Sequence, residues 1–318
     1  MEDTKMKCTG GFTLIELSIV LIVIGFIVGG VLVGQDLIHS AGVRATITQI
    51  EKYNRAVNTF RGKYGQLPGD IDGNSAAAFG FAPRGAYPGE GDGNGVIEGL
   101  AGGPPTTIQN TGWAEGSGET GMFWVDLSIA GLIDGGFNTA SINTVPSTDL
   151  TGTLLDLYLP EAKIGGGNYI YVYSVGTGIN YYGLSAITLI GASVNGVGWG
   201  VAGVPAMAVR DAYSIDTKMD DGLPQSGKVT ATYLNANLVS GSWRPAWAAS
   251  GGVEGAHKNT SPVSASATTI ATTGSTTTCY DNSTSMDGQT AANGNVQHYS
   301  LEMNNGSGVN CALSFQFQ

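Results

Sequence analysis

The segment FTLIELSIVLIVIGFIVGGVLV, Phe12 to Val33, constrains this chain more than any other. Apart from Thr13, Glu16, Ser18, Gly25, Gly29 and Gly30, every residue in it is large and apolar. As a helix it spans about 33 Å, enough to cross the hydrocarbon core of a bilayer. Lys5 and Lys7 precede it, and flanking cations favour a cytoplasmic N-terminus. The small residues Gly10 and Gly11 lie before the apolar run, whereas a secretory signal carries its cleavage site after a shorter one. Cleavage here leaves the apolar helix on the mature chain. Glu16 breaks the pattern. A carboxylate in the middle of a bilayer costs about 2.5–3.5 kcal/mol on insertion scales, so it calls for a partner.

The string Gly11-Phe12-Thr13-Leu14-Ile15-Glu16 resembles the leader junction of type IV pilins and type II secretion pseudopilins. The resemblance covers a leader at residues 1–11, the cleavage junction and the long first helix. It implies that a membrane-embedded prepilin peptidase cuts between Gly11 and Phe12 and methylates the new Phe12 amine. It further implies that Glu16 is the counter-ion of the Phe12 amine of a neighbouring subunit. Each charge is costly alone in hydrocarbon, and a paired one fixes register between subunits. Many family members carry a helix-kinking proline about twenty residues into the mature chain. This sequence has none before Pro68 and places Gly25, Gly29, Gly30 and Gly34 there instead, so bending or local melting is expected at those glycines.

Beyond Val33 the pattern turns amphipathic. Leu37, Ala41, Val43, Ile47, Ile50, Val57, Phe60 and Tyr64 fall mostly at three- and four-residue steps, and Gly65 and Pro68 end the run. The spacing predicts one helix over 12–64, its first half apolar all round and its second half burying one stripe against a head at 65–318. Arg44, Lys52, Arg55, Arg61 and Lys63 make the second half basic, suited either to solvent or to acidic heads of neighbours. The fold class expected is α+β, type IV pilin-like: a long helix on a loop-rich, β-containing head.

The head is rich in glycine, with 50 in the chain, and charged residues make up only 12%. The net charge of −11 argues against nucleic acid as a partner. Alternation predicts strands over 169–175 (one face in the core, an aromatic outer face), 181–190, 198–204 and 228–234, with helices over 119–135 and 207–219. Residues 296–303 and 309–317 flank Asn304-Asn305-Gly306-Ser307 and read as a β-hairpin. Of the three cysteines, Cys8 leaves with the leader, and in an exported chain Cys279 and Cys311 then form a disulfide. The pair bounds a region, 279–311, that resembles the C-terminal disulfide-bounded loop of many type IV pilins. A Ser/Thr-rich stretch, 259–294, offers sites for glycosylation.

Two acidic strings stand out in the head, Asp70-Ile71-Asp72 and Gly91-Asp92-Gly93-Asn94-Gly95-Val96-Ile97-Glu98. The second has oxygen donors at alternate positions, glycines for a tight turn and a following carboxylate, as at the front of a calcium loop. Asp92, Asn94, the Val96 carbonyl and Glu98 are candidate calcium ligands, with Asp70 and Asp72 available to complete the set. Asp-Gly and Asn-Gly are also the commonest turn formers, and the sequence leaves both readings open. Asp216, Asp220 and Asp221 are a third acidic group, suited to a capped loop or a cation.

No signal for catalysis emerges. His39, His257 and His298 lack metal-ligand spacing, and no phosphate-binding loop or nucleophile elbow is present. The expectation is therefore a non-enzymatic structural subunit of a type IV pilus-like filament, polymerising with copies of itself through the first helix. It would sit in the bacterial inner membrane as a prepilin, meet an assembly platform there, and end in an extracellular filament. A type II secretion pseudopilin in a periplasmic pseudopilus, or a minor tip adhesin, are the alternatives.

Overall fold

The computed structural model describes residues 13–85, 87–100, 114–174, 178–191, 200–234, 245–248, 278–281, 297–301 and 306–317. The chain divides into two compact units, Met1–Gly42 and Val43–Gln318. The first helix, α1 (Leu14–Tyr64), has 51 residues and contributes to both. It is helical throughout Gly25, Gly29, Gly30 and Gly34, with no break where bending was expected. In the first unit, Leu14–Val31 has a mean hydropathy of 2.7 and none of it is buried. It is long and apolar enough to cross a membrane.

Leu37 and Ala41, expected in the buried stripe, are exposed, and from Val43 on the helix behaves as its spacing predicts. Val43, Thr46, Ile50, Tyr53, Val57 and Phe60 are buried in one stripe with steps of three and four. Thr46 and Tyr53 join the expected residues, and Ile47 is only partly buried. Fully burying a side chain such as Ile50 or Phe60 contributes about 1.5–3 kcal/mol.

The remaining helices are α2 (Gly73–Phe79), α3 (Gly118–Ile129) and α4 (Val209–Met219), with a 3-10 turn at Gly152–Leu157. The strands are β1 (Asn168–Ser174), β2 (Asn180–Ile190), β3 (Val201–Val204), β4 (Met207–Ala208), β5 (Val229–Thr230), β6 (Thr232–Tyr233), β7 (Ala246–Trp247), β8 (Tyr280–Asp281), β9 (His298–Tyr299), β10 (Val309–Cys311) and β11 (Leu313–Gln316). The main sheet has five antiparallel strands ordered β1-β2-β11-β5, with β3 also paired to β2. Leu184 faces Ile170 on one edge of β2 and Leu313 on the other. Every residue of β1 is buried, so the outer aromatic face expected there is a second core face. Tyr171 and Tyr173 are accommodated because their hydroxyls are paired, with Ser185 at 3.1 Å and Ser314 at 2.7 Å.

Among the described residues the expected C-terminal hairpin is not formed. β9 pairs with β8, while β10 pairs with β4 and β11 enters the main sheet between β2 and β5. An Asn-Gly turn specifies only local chain reversal. Leu313 and Phe315 are 0% and 2% exposed once inserted beside β2, a burial a two-stranded hairpin cannot supply. Residues 228–234 make two short strands broken at Ala231, not one, and β4 takes Met207 and Ala208 from the expected start of α4. The aromatic core joins these layers. Tyr53 of α1 meets the Trp124 ring of α3 edge-on at 5.0 Å, and Tyr182 of β2 lies 4.2 Å from Phe317.

Candidate functional site

Gly11 and Phe12 lie outside the described residues. Glu16 is described, in the first turn of α1. Its carboxylate accepts from the Thr13 N–H and the Thr13 hydroxyl, each at 2.8 Å, and Thr13 Oγ1 accepts from the Glu16 N–H at 3.3 Å. This reciprocal arrangement is a capping box, which satisfies donors that the opening turn of a helix leaves unpaired. The junction's resemblance to that of prepilins implies an intermolecular role for Glu16. The Thr-x-x-Glu spacing also carried this second, intramolecular role.

Cys279 and Cys311 form a disulfide that closes a 32-residue separation and fastens the chain beside β8 to β10. Cys8, most of the Ser/Thr-rich stretch and Asn304 and Asn305 of the expected turn lie outside the described residues.

The acidic strings of the head separate into different tasks. Asp72 is the N-cap of α2. Its Oδ1 accepts from the N–H groups of Asn74 at 2.8 Å and Ser75 at 3.0 Å, and its Oδ2 accepts from Gln66 and the Ser75 hydroxyl. These donors lower its carboxyl to about 2, the Ser75 amide most of all. Asp70 points the other way, into the second string. It accepts from the Gly93 N–H at 2.8 Å on one oxygen and the Gly95 N–H at 2.7 Å on the other.

Loop 91–98 is wound tightly enough to present these amides because Gly91, Gly93 and Gly95 all have positive φ. A side chain at Gly91 would also collide with the Ile71 carbonyl, 2.6 Å from where its Cβ would stand. Asn180, the first residue of β2, clamps the loop to the sheet by accepting from the Ile97 N–H and donating to the Gly95 carbonyl. Asp92 accepts from the Asn94 N–H at 3.0 Å. Asn94 Oδ1 is engaged by the Val96 N–H at 2.6 Å, and its amide donates to Asp92 at 3.0 Å and to Glu98 at 3.3 Å.

Glu119, absent from the sequence-derived ligand set, completes the group. It lies in the first turn of α3, where its two oxygens accept from the Gly91 N–H and the Glu98 N–H, both at 2.9 Å. Carboxylate oxygens of Asp70, Asp92 and Glu119 all lie within 4.8 Å of one another. Asp70, Glu98 and Glu119 are buried, and Asp92 is exposed at the rim. Burial raises Asp70 to about 7, and the Asp92 charge adds to the rise. Glu98 also rises to about 7, through burial and then Asp92. Burial, reinforced by Asp70 and Glu98, lifts Glu119 well above its ordinary value. Arg84, the neighbouring buried cation, is committed elsewhere: one guanidinium nitrogen reaches both oxygens of buried Asp126 at 2.6 and 2.7 Å.

Asp216, Asp220 and Asp221 also approach one another, but each closes a loop. Asp216 accepts from the Tyr299 hydroxyl at 2.7 Å and the Gly222 N–H at 3.1 Å. Asp220 accepts from the N–H groups of Lys228 and Val229, and Asp221 from Leu223 and Ser226.

No protein-family model matches the chain, and neither does any curated protein or solved structure.

Proposed function

We propose that the chain is a structural subunit of a type IV pilus-like extracellular filament, held in the membrane by α1, cut after Gly11, methylated at Phe12 and polymerised through α1. The observation that carries this reading is the apolar half of α1, Leu14–Val31, which is unburied within its own chain and follows a prepilin-type junction. A helix that is apolar all round needs lipid or other apolar helices around it. Transfer from bilayer to a bundle of like helices exchanges one apolar environment for another, so the hydrophobic effect scarcely opposes assembly. Glu16 supplies the selectivity, pairing with the amine of a neighbour's Phe12 at one axial offset.

The test is electron microscopy of filaments sheared from cells expressing the wild-type chain or Glu16→Ala. Wild-type cells are expected to yield filaments containing the chain. The variant is expected to accumulate in the membrane and yield none. Normal filaments from Glu16→Ala overturn the charge-pairing mechanism, and wild-type filaments lacking the chain overturn the function.

A further inference from the structure

We propose that Asp70, Asp92, Glu98 and Glu119 bind one calcium ion, which locks loop 91–98 between the start of α2 and the start of α3. The site is independent of the filament reading. Three carboxylates, Asp70, Asp92 and Glu119, converge from three separate segments, the turn before α2, the glycine-rich loop and the first turn of α3, and Glu98 is joined to Asp92 through the Asn94 amide. Asp70, Glu98 and Glu119 are buried, and the charges these carboxylates and Asp92 feel from one another are all of like sign. Buried carboxylates that are not paired with a cation are strongly disfavoured.

A second observation points to a missing ligand. Glu98 is fully buried, yet no donor meets its Oε1 with hydrogen-bond geometry, although the Gly89 N–H lies close enough to lower its carboxyl. Its other oxygen shares the Asn94 amide with Asp92, which places the orphaned oxygen's carboxylate beside the cluster. A buried acceptor left unmade is costly, the more so when it is charged.

The donor chemistry selects the ion. All four side chains offer hard oxygens, and none offers imidazole or thiolate, which sets the site apart from those of zinc and copper. Calcium binds oxygens at about 2.3–2.6 Å, so ligands on opposite sides of it are about 4.6–5.2 Å apart. The Asp70, Asp92 and Glu119 oxygens lie within 4.8 Å of one another, close enough to share one such ion. Magnesium draws ligands to about 2.0–2.1 Å in a strict octahedron and keeps several waters, which suits a cage of several carboxylates less well. The loop amides use one acceptor position on each oxygen of Asp70 and Glu119, and a carboxylate oxygen has a second lone pair to offer. The loop amides thus hold the carboxylates in place without consuming them. Asp92 at the exposed rim provides the entrance, where waters complete the shell. Asn94 positions Asp92 and Glu98 as a donor, and Asp72 is spent on capping α2.

The experiment uses the full chain in detergent, stripped with chelator and then titrated with calcium chloride or magnesium chloride. Equilibrium dialysis is expected to give one calcium per chain with a Kd below about 1 mM, and a rise in Tm with calcium. Magnesium is expected to bind at least tenfold more weakly. Glu98→Gln keeps the side chain's shape and removes its charge. It is expected to raise Tm in chelator, by relieving like-charge repulsion, and to weaken calcium binding at least tenfold. That reversal of sign distinguishes a ligand from a residue needed only for folding. Asp221→Asn, in the other acidic group, is expected to leave binding unchanged. Absence of saturable calcium binding at 1:1, binding unaltered by Glu98→Gln, or binding lost with Asp221→Asn each overturns the proposal. Magnesium binding as tight as calcium overturns the choice of ion.

Discussion

At the scale of single residues, the same side chain serves different ends in different assemblies. Within one chain Glu16 closes a capping box with Thr13. In the proposed filament it neutralises a neighbour's amine. Glu16→Gln separates the two, because glutamine serves in a capping box and carries no charge. Sheared-filament yield with Glu16→Gln is expected to fall to background, as with Glu16→Ala; normal yield with Gln and none with Ala would assign the residue's role to the cap. Asp72→Ala removes the cap of α2 and is expected to lower stability by about 1 kcal/mol in denaturant unfolding, within the 0.5–2 kcal/mol span of such losses. An unchanged midpoint contradicts the capping role. Asp216 supplies a pH effect. Burial, assisted by Asp221 and Asp220 and opposed by the Tyr299 and Gly222 hydrogen bonds, raises its carboxyl from 3.8 to about 7. Between those values the folded state holds the proton more tightly than the unfolded one. Its contribution to stability therefore falls as pH rises from about 4 to about 7. Asp216→Asn is expected to flatten that part of the Tm–pH profile, and a profile of unchanged slope contradicts the assignment.

At the scale of elements, legibility followed the range of the forces involved. α1 was legible because a continuous apolar run in its first half, a 3.6-residue period in its second and a Gly65–Pro68 stop are all local features. The locations of β1 and β2 were legible from alternation, but not that both faces of β1 are covered, since that depends on distant layers. α2 was hidden by a short Ala-rich sequence, and its cap, Asp72, looked like a ligand because nothing local distinguishes capping from coordination. Glu119 was missed for a related reason. An acid in the first turn of a helix is ordinary, and no spacing rule links it to residues more than twenty positions earlier. The hairpin over 296–317 was misjudged because β11 gains more by burying Leu313 and Phe315 beside β2 than by pairing with its sequence neighbour. The Cys279–Cys311 disulfide holds this rearranged end together. Replacing both cysteines with serine is expected to lower stability by about 3–4 kcal/mol, from the loop entropy restored to the unfolded chain. Equal denaturation midpoints for the variant and the wild type under oxidising conditions would show that the bridge does not stabilise the fold.

At the scale of the whole molecule, the two units have opposed surfaces. The second unit buries its aromatic and aliphatic side chains in its own core. The first leaves Ile15, Leu17, Phe26 and Ile27 more than half exposed, in a helix apolar on every side. An environment of lipid or of other such helices suits that helix, and in the proposed function it meets both in succession. The central claim is therefore that this chain is cut at that junction and then built into a filament. Mass spectrometry of the N-terminal peptide of the chain recovered from sheared surface filaments tests it most directly. The account predicts a peptide beginning at Phe12 with a methylated amine and lacking residues 1–11. A chain in the filament that begins at Met1, or is cut downstream of Val33 with the apolar helix removed, would contradict it.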